Sequence, residues 1–440
     1  MTLSRRARVA RALYSTLLWL AQPLYLMRLA WRSRAEPAYR VAMGERFGLY
    51  RDAPSRGWLW VHAVSLGETR AAAVLIAALR EARPGLRLLL THSTATGREA
   101  GRELLREGDR QTWLPFDTPG AVRRFLAHFR PAAGVLMETE VWPNLLPAAQ
   151  AAGVLLVLAN ARLSEKSRRR GERYAALLRP AVASITRVLA QTEADAERLR
   201  SAGASDVRVC GNLKYDITPD AALVARGQDW RASLGRPVLL FAVSREGEEA
   251  PLLGAWSQRR GACAERPLLV IVPRHPQRFD EVAALMRASG LTLARRSEWG
   301  DRPAAAALEA DAWLGDSMRE MPLYYGLGQV ALLGGSFAAL GGQNLIEAAA
   351  CGCPVVMGPH TFNFAEAAER AAAAGAALRV SGIEAGLDAA LALLADARHL
   401  AEAGERCRAF AAEHRGAAGR MAAEVVALWP EVQPQLQPHD

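Results

Sequence analysis

Lysine is almost missing from this chain. Basic residues number 55 and the formal net charge is +10, yet Lys166 and Lys214 are the two lysines, so arginine carries the positive charge. A bias this uniform reflects genome composition, and it draws attention to each lysine that remains. Cysteine is scarce as well. Cys210, Cys263, Cys351, Cys353 and Cys407 form no CxxC pair and no His/Cys cluster at zinc spacing, which excludes a disulfide framework and a structural zinc site. An odd count without a framework fits a reducing compartment and small buried hydrophobes. The arginines are scattered and no basic stretch is studded with aromatics, so no nucleic acid partner is expected. No DxD run or metal-spaced His/Asp set stands near the loops discussed below, and neither a metal nor any other cofactor is expected.

Long hydrophobic runs are also lacking. The one apolar stretch near a terminus, Leu13 to Met27, is short for a membrane span and contains Gln22-Pro23. Arg5, Arg6, Arg8 and Arg11 precede it, and Arg28, Arg32 and Arg34 follow it. Tyr14, Trp19 and Tyr25 suit a membrane–water interface. No small-residue cleavage site follows, so residues 1–34 read as a retained anchor or interfacial helix, with a buried core helix as the alternative. Basic flanks on both sides fit an anionic membrane surface as partner.

A chain of 440 residues exceeds one ordinary core and predicts two domains. Apolar runs alternate with helical patterns after the N-terminal stretch. Trp58–Val64, Leu86–Thr91, Ala133–Met137, Val154–Leu158, Val188–Gln191 and Val207–Cys210 read as strands. Helical spacing over Glu68–Arg80 ends at Pro84-Gly85. A break holding Pro219, Gly227 and Gly235 follows. The pattern then restarts with Val238–Val243, Leu268–Val272, Val330–Leu333 and Val355–Met357. The fold class expected is α/β, with two Rossmann-like domains facing a cleft, over 35–218 and 236–425. Ligands in such sheets bind at the carboxyl ends of the strands, so the loops there are where chemistry is expected.

In the first half, His62–Glu68 ends with a tight-turn glycine and Glu68 at the start of a helix. A carboxylate there is a plausible general base, although the same position suits a helix-capping Glu and the helix dipole lowers its basicity. Met137–Asn144 brings Glu138 and Glu140 directly after a strand; two acids so placed are unusual for a structural turn, and acids in a first helical turn are the alternative reading. Lys214 lies in Gly211–Asp216, after the last strand of the half, and is expected to point toward the interdomain cleft unless it is a surface charge. The second half supplies anion-binding loops: Ser244–Glu249, Pro273–Pro276, Gly315–Met321, and Gly334–Ser336 with Gly341–Asn344. Glycines let the backbone approach phosphate, helix N-termini hold it, and an acid such as Glu347 can bind ribose hydroxyls. Several such loops in one domain predict a nucleotide site.

In their order along the chain these loops resemble the Kdo transferase family, the 3-deoxy-D-manno-octulosonic acid transferases of lipid A assembly. The carriers are Gly44–Gly48, Val64–Thr69, Glu138–Asn144, Ala159–Ser164, Gly211–Asp216, Val272–Pro276 and Gly341–Glu347. The resemblance implies a GT-B fold and an inverting, metal-independent transfer of Kdo from CMP-Kdo to lipid IVA. It implies Glu68 as the base, and Glu138 and Lys214 as transition-state stabilisers. It implies CMP binding by Pro273, Arg274, Arg319, Glu320, Met321, Asn344, Leu345, Ile346 and Glu347. It implies a place on the cytoplasmic face of the bacterial inner membrane. Two departures fall in the nucleotide loops: Arg245 stands where the family often has His, and Gln343-Asn344-Leu345-Ile346-Glu347 stands where many members have His-Asn-Pro-Leu-Glu. A UDP-sugar transferase acting on another lipid, and a tethered nucleotide-binding protein without catalysis, are the competing readings.

Overall fold

Each half of the chain builds a seven-stranded parallel sheet. A computed structural model describes residues 4–34, 36–262 and 265–429, so Cys263 lies outside the described residues. The first sheet uses β1 (Leu59–His62), β2 (Leu88–His92), β3 (Arg110–Trp113), β4 (Ala133–Met137), β5 (Leu155–Ala161), β6 (Arg187–Ala190) and β7 (Val207–Val209), in the order β3-β2-β1-β4-β5-β6-β7. Strands β1, β2 and β4 are buried along their whole length. Parallel sheets are covered on both faces, which is why these strands read as unbroken apolar runs in the sequence. Alternation sorts their side chains: Trp60, Leu89 and Leu136 meet Phe125 on one face, and Leu59, Leu88 and Val135 meet Leu75 and Leu79 on the other.

The helices that matter for the first unit are α1 (Arg5–Arg32), α2 (Leu66–Ala82), α3 (Ala95–Arg102), α4 (Pro119–Phe129) and α5 (Leu145–Ala151). Helix α1 takes in both basic flanks except Arg34 and contains Pro23. Leu13, Leu17, Leu20, Leu24, Met27 and Trp31 are all exposed on it. Their steps of four and three residues place them on one stripe of the helix. Ala7 and Leu29 are its buried positions. No helix among the described residues is long and apolar enough to cross a membrane.

The second sheet uses β8 (Val238–Ser244), β9 (Leu268–Pro273), β10 (Leu293–Arg295), β11 (Ala312–Leu314), β12 (Val330–Leu333), β13 (Val355–Met357) and β14 (Ala377–Arg379), in the order β10-β11-β9-β8-β12-β13-β14. Strands β3, β10, β11 and β14 are absent from the sequence reading. They are three or four residues long, and β3 (Arg-Gln-Thr-Trp) begins exposed, so no apolar run announces it.

The described residues divide into one unit of 4–216 and 415–429 and another of 217–414. This differs from the expected bounds in two ways. The expected segment 1–34 does not stand apart: its described residues, 4–34, are part of the first unit. The second domain does not run to 425: the helix Ala417–Leu428 returns to the first unit. Ala417, Met421 and Val425 join the cluster formed by Leu59, Val61 and Leu75. The Asp216 carboxylate accepts the Gly416 and Ala418 N–H groups, and Arg420 Nε donates to the Cys210 carbonyl at 3.0 Å. The described cysteines, Cys210, Cys351, Cys353 and Cys407, are free thiols, and burial pushes each of them up from its ordinary pKa.

Candidate active site

The strand order of the first sheet reverses between β1 and β4, which are hydrogen-bonded neighbours. Open α/β sheets bind ligands at such switch points. The loop after β1 carries Glu68, and the loop after β4 carries Glu138 and Glu140. Ser65 is the N-cap of α2, and Glu68 is its third residue. The Glu68 N–H donates to Ser65 Oγ at 3.4 Å, Ser65 Oγ donates to Glu68 Oε1 at 3.1 Å, and the Val64 N–H donates to Oε2 at 2.8 Å. Glu68 therefore closes a variant of the capping box. Its carboxyl is nonetheless held above the usual carboxylate range. Burial is the main cause, and the charges of Glu138 and Glu140 add to it against the lowering effect of the Val64 and Ser65 hydrogen bonds.

Glu138 has φ of 60°, in the left-handed region that residues with a side chain seldom adopt. Its N–H still continues the ladder to the Ala159 carbonyl at 2.9 Å. The chain thus turns within one residue of the strand end, and Arg162 Nε lies 3.2 Å from Glu138 Oε2. Lys214 sits in the turn Leu213–Asp216, just past β7. Burial lowers its ammonium from the ordinary value and Arg162 adds to this, while the carboxylates of Glu138 and Glu68 work in the opposite direction. Glu68, Glu138 and Lys214 are thus brought within electrostatic reach of one another.

Three further residues organise this cluster. Asn160, fully buried at φ 53°, accepts the Leu213 N–H on Oδ1 at 3.1 Å and holds the Lys214 turn. Gln191 Nε2 donates to the Asn160 carbonyl at 2.9 Å and its Oε1 accepts from Asn212 at 3.0 Å. His62, fully buried at the end of β1, has Nε2 at 3.7 Å from Glu140 Oε2. The sequence reading assigns none of them a role. Asn160 and Arg162 lie in Ala159–Ser164, one of the segments that carry the family resemblance, whereas the His62–Glu140 approach joins the end of β1 to the loop after β4 and leaves no local mark.

In the second unit the reversal falls between β8 and β12. A buried carboxylate ties the loops at that point together. Glu248 Oε2 accepts the Arg245 and Gly335 N–H groups at 2.9 and 2.7 Å, and Oε1 accepts those of Phe337 and Ala338, both at 3.1 Å. Val243, a β-branched residue, is held at φ 58° just before this loop. The Arg274 N–H donates to the Ser244 carbonyl at 3.0 Å, which sets the end of β9 beside the end of β8. Burial and the charges of Arg245, Arg274 and Arg278 lower the pKa of His275, so cationic side chains gather at these strand ends.

The expected nucleotide residues are placed unequally. Pro273 ends β9 and is buried, and Arg274 is exposed. Arg319 is exposed at φ 66°, and Glu320 pairs with Arg296 at 2.9 Å. Met321 opens a helix. Asn344 caps the helix Leu345–Ala350 by accepting the Ile346 N–H at 3.1 Å, with Glu347 in the first turn. Leu345 and Ile346 are each 1 % exposed, so they are core residues of that helix start. Gly341 before this helix has φ of 89°, and a Cβ there would lie 2.4 Å from Asn363 Nδ2. Among the described residues no group of three or more His, Cys, Asp or Glu side chains is arranged to hold a metal ion.

The chain is 48 % identical over 405 residues to the 3-deoxy-D-manno-octulosonic acid transferase of Bordetella pertussis, covering 90 % of this chain and 94 % of that one. It belongs to the Kdo transferase family. The corresponding transferase of Haemophilus influenzae is 34 % identical, with 81 % of this chain and 84 % of that one covered. Residues 42–217 match the family model described as 3-deoxy-D-manno-octulosonic-acid transferase (kdotransferase). As a member of this family the chain is a glycosyltransferase. A crystal structure of a glycosyltransferase from Rickettsia africae superposes with a TM-score of 0.55 at 12 % identity, over 86 % of this chain and 99 % of that one. That likeness concerns the fold, two parallel-sheet α/β units of the GT-B kind.

Proposed function

We propose that the protein transfers Kdo from CMP-Kdo to a lipid IVA acceptor by single displacement with inversion. The observation that carries this reading is the grouping of Glu68, Glu138 and Lys214 at the switch point of the first sheet, with the Glu68 carboxyl raised by burial and by its acidic neighbours. Glu68 removes the proton of the attacking sugar hydroxyl. A raised pKa strengthens it as a base. Negative charge moves onto the departing CMP as the glycosidic bond breaks. Lys214 stabilises that charge as a compact ammonium, and Glu138 keeps the ammonium charged and fixed.

The donor nucleotide is assigned to the loops of the second unit. Arg274 and Arg319 are the exposed cations there, and the cap of Asn344 presents a helix start with Glu347 beside it. Pro273, Glu320 and Met321 complete the wall, with Leu345 and Ile346 buried behind it as support for the helix start. The exposed stripe of α1, flanked by arginines, supports an interfacial attachment to the anionic cytoplasmic leaflet of the bacterial inner membrane. The test is product analysis after incubation with CMP-Kdo and lipid IVA. Transfer from a UDP-sugar but not from CMP-Kdo would overturn the donor, and nucleotide binding without any transfer would overturn the enzymatic mechanism.

A further inference from the structure

The segment 138–144 is fixed at both ends, and its far end is fixed by the N-terminal helix. At the near end Glu138 continues the β4 ladder. At the far end α5 begins without a cap from its own Asn144 side chain. Its first amides need acceptors, since a helix start leaves several N–H groups unpaired. Asp117, just before α4, supplies them: Oδ2 accepts the Asn144 N–H at 3.0 Å, and Oδ1 accepts the Leu145 N–H at 2.7 Å. Asp117 is 4 % exposed and Asn144 6 %.

A third donor reaches the same carboxylate from α1. Tyr14 OH donates to Asp117 Oδ2 at 3.0 Å, across 103 positions of sequence. One residue further on, Ser15 Oγ accepts from Asn144 Nδ2 at 3.0 Å while donating to the Arg11 carbonyl at 2.8 Å. Asn144 Nδ2 also donates to the Asp117 carbonyl at 2.6 Å. Helix α1 thus inserts two hydroxyls into the buried knot that ends the acidic segment. A tether needs no such contacts, because membrane attachment uses the exposed stripe of Leu13, Leu17, Leu20 and Leu24.

We propose that Tyr14 and Ser15 are positioning residues: through Asp117 and Asn144 they set the placement of the segment bearing Glu138 and Glu140, so that α1 is part of the acceptor-side machinery as well as its attachment. This rests on the role given above to Glu138. Helix α1 is a rod of 28 residues, and a shift of its seat on the first unit displaces both hydroxyls together. The seat of the helix is thereby linked to the acidic segment.

The test uses full-length wild type, Tyr14→Phe and Ser15→Ala, with CMP-Kdo and lipid IVA dispersed in non-ionic detergent, so that membrane attachment is not required for turnover. Loss of one hydrogen bond in the knot should lower kcat about three- to tenfold. The KM for CMP-Kdo and sedimentation with phosphatidylglycerol vesicles should stay at wild-type values. Hydrogen exchange of the Asn144 and Leu145 amides should quicken. In an Asp117→Asn background, Tyr14→Phe should add little, because both changes act on one network. An unchanged kcat in folded Tyr14→Phe, or a full additional loss in the Asp117→Asn background, overturns the inference. If wild type shows no transfer, the functional reading fails instead, and the exchange of Asn144 and Leu145 still decides whether Tyr14 holds the segment.

Discussion

Ser65 and Glu68 cap each other across the first turn of α2, with Ser65 Oγ 3.1 Å from Glu68 Oε1 and the Glu68 N–H 3.4 Å from Ser65 Oγ. The candidate base is therefore also a structural residue, and a substitution that removes both roles would be uninformative. Glutamine serves at the third position of a capping box as glutamate does. Glu68→Gln should consequently keep the fold and the melting temperature close to wild type. It should lose about 10²–10⁴ in turnover, the usual share of a positioned base. Near-normal turnover in the folded variant removes Glu68 from the base role.

The acid limb of the pH–rate profile follows from the surroundings of the same carboxyl. A base acts when deprotonated, so activity falls as pH drops through its pKa. Burial, with Glu138 and Glu140, raises Glu68 from 4.5, so the limb should lie above that value. Glu140→Gln removes one of the raising charges and should move the limb to lower pH. The profile of kcat/KM reads the free enzyme. A limb that stays in place shows that Glu140 does not act on the titrating group.

Lys214 has the opposite sign. It works as a cation, and burial lowers it from 10.5, so activity should fall as pH rises through a value below that. Lys214→Arg keeps a charge but replaces a compact ammonium with a planar fork. Turnover should drop despite the retained charge, with circular dichroism unchanged. Full activity in this variant would remove Lys214 from the transition-state role.

The exposed stripe of α1 separates attachment from chemistry. Leu17→Glu and Leu24→Glu place charges at positions 66 % and 65 % exposed, where little packing is lost. The double variant should leave vesicles of anionic lipid, because each charge opposes insertion of the apolar face. Its turnover on detergent-dispersed acceptor should match wild type. Continued sedimentation with vesicles would place attachment elsewhere on the protein.

Much of this site is local and therefore readable in the sequence. Glu68 follows an apolar run and opens a helical pattern, and Asn344 precedes another, so both loops are legible from spacing alone. Glu138 marks a limit: a turn at φ 60° ordinarily signals itself by glycine, and here a carboxylate occupies it. Val243 at φ 58° is hidden for the same reason. The repeat of Ala417, Met421 and Val425 announces a buried helix face but not which unit it covers, since that is settled by tertiary contacts with Leu59 and Val61. Tyr14 reads as an interfacial aromatic, and its bond to Asp117 depends on a fold that brings residue 14 to residue 117.

Glu248 offers a test of the second unit that needs no substrate to begin with. Its carboxylate is 2 % exposed and accepts four backbone N–H groups, from Arg245, Gly335, Phe337 and Ala338. Burial raises its pKa and those four hydrogen bonds oppose the rise. Glu248→Gln keeps the shape but turns one oxygen into an NH₂ group, which then faces donors. At least two N–H groups lose their acceptor, at about 1–3 kcal/mol for each one left buried. Stability should fall by roughly 2–6 kcal/mol on the same basis, read as an earlier urea midpoint with unchanged slope. The loops after β8 and β12 are joined through this side chain, so the KM for CMP-Kdo should rise in the variant at temperatures where it remains folded. A destabilised variant with a wild-type donor KM would show that the cradle supports the fold alone, and would move the nucleotide away from the Arg245 and Gly335 loops.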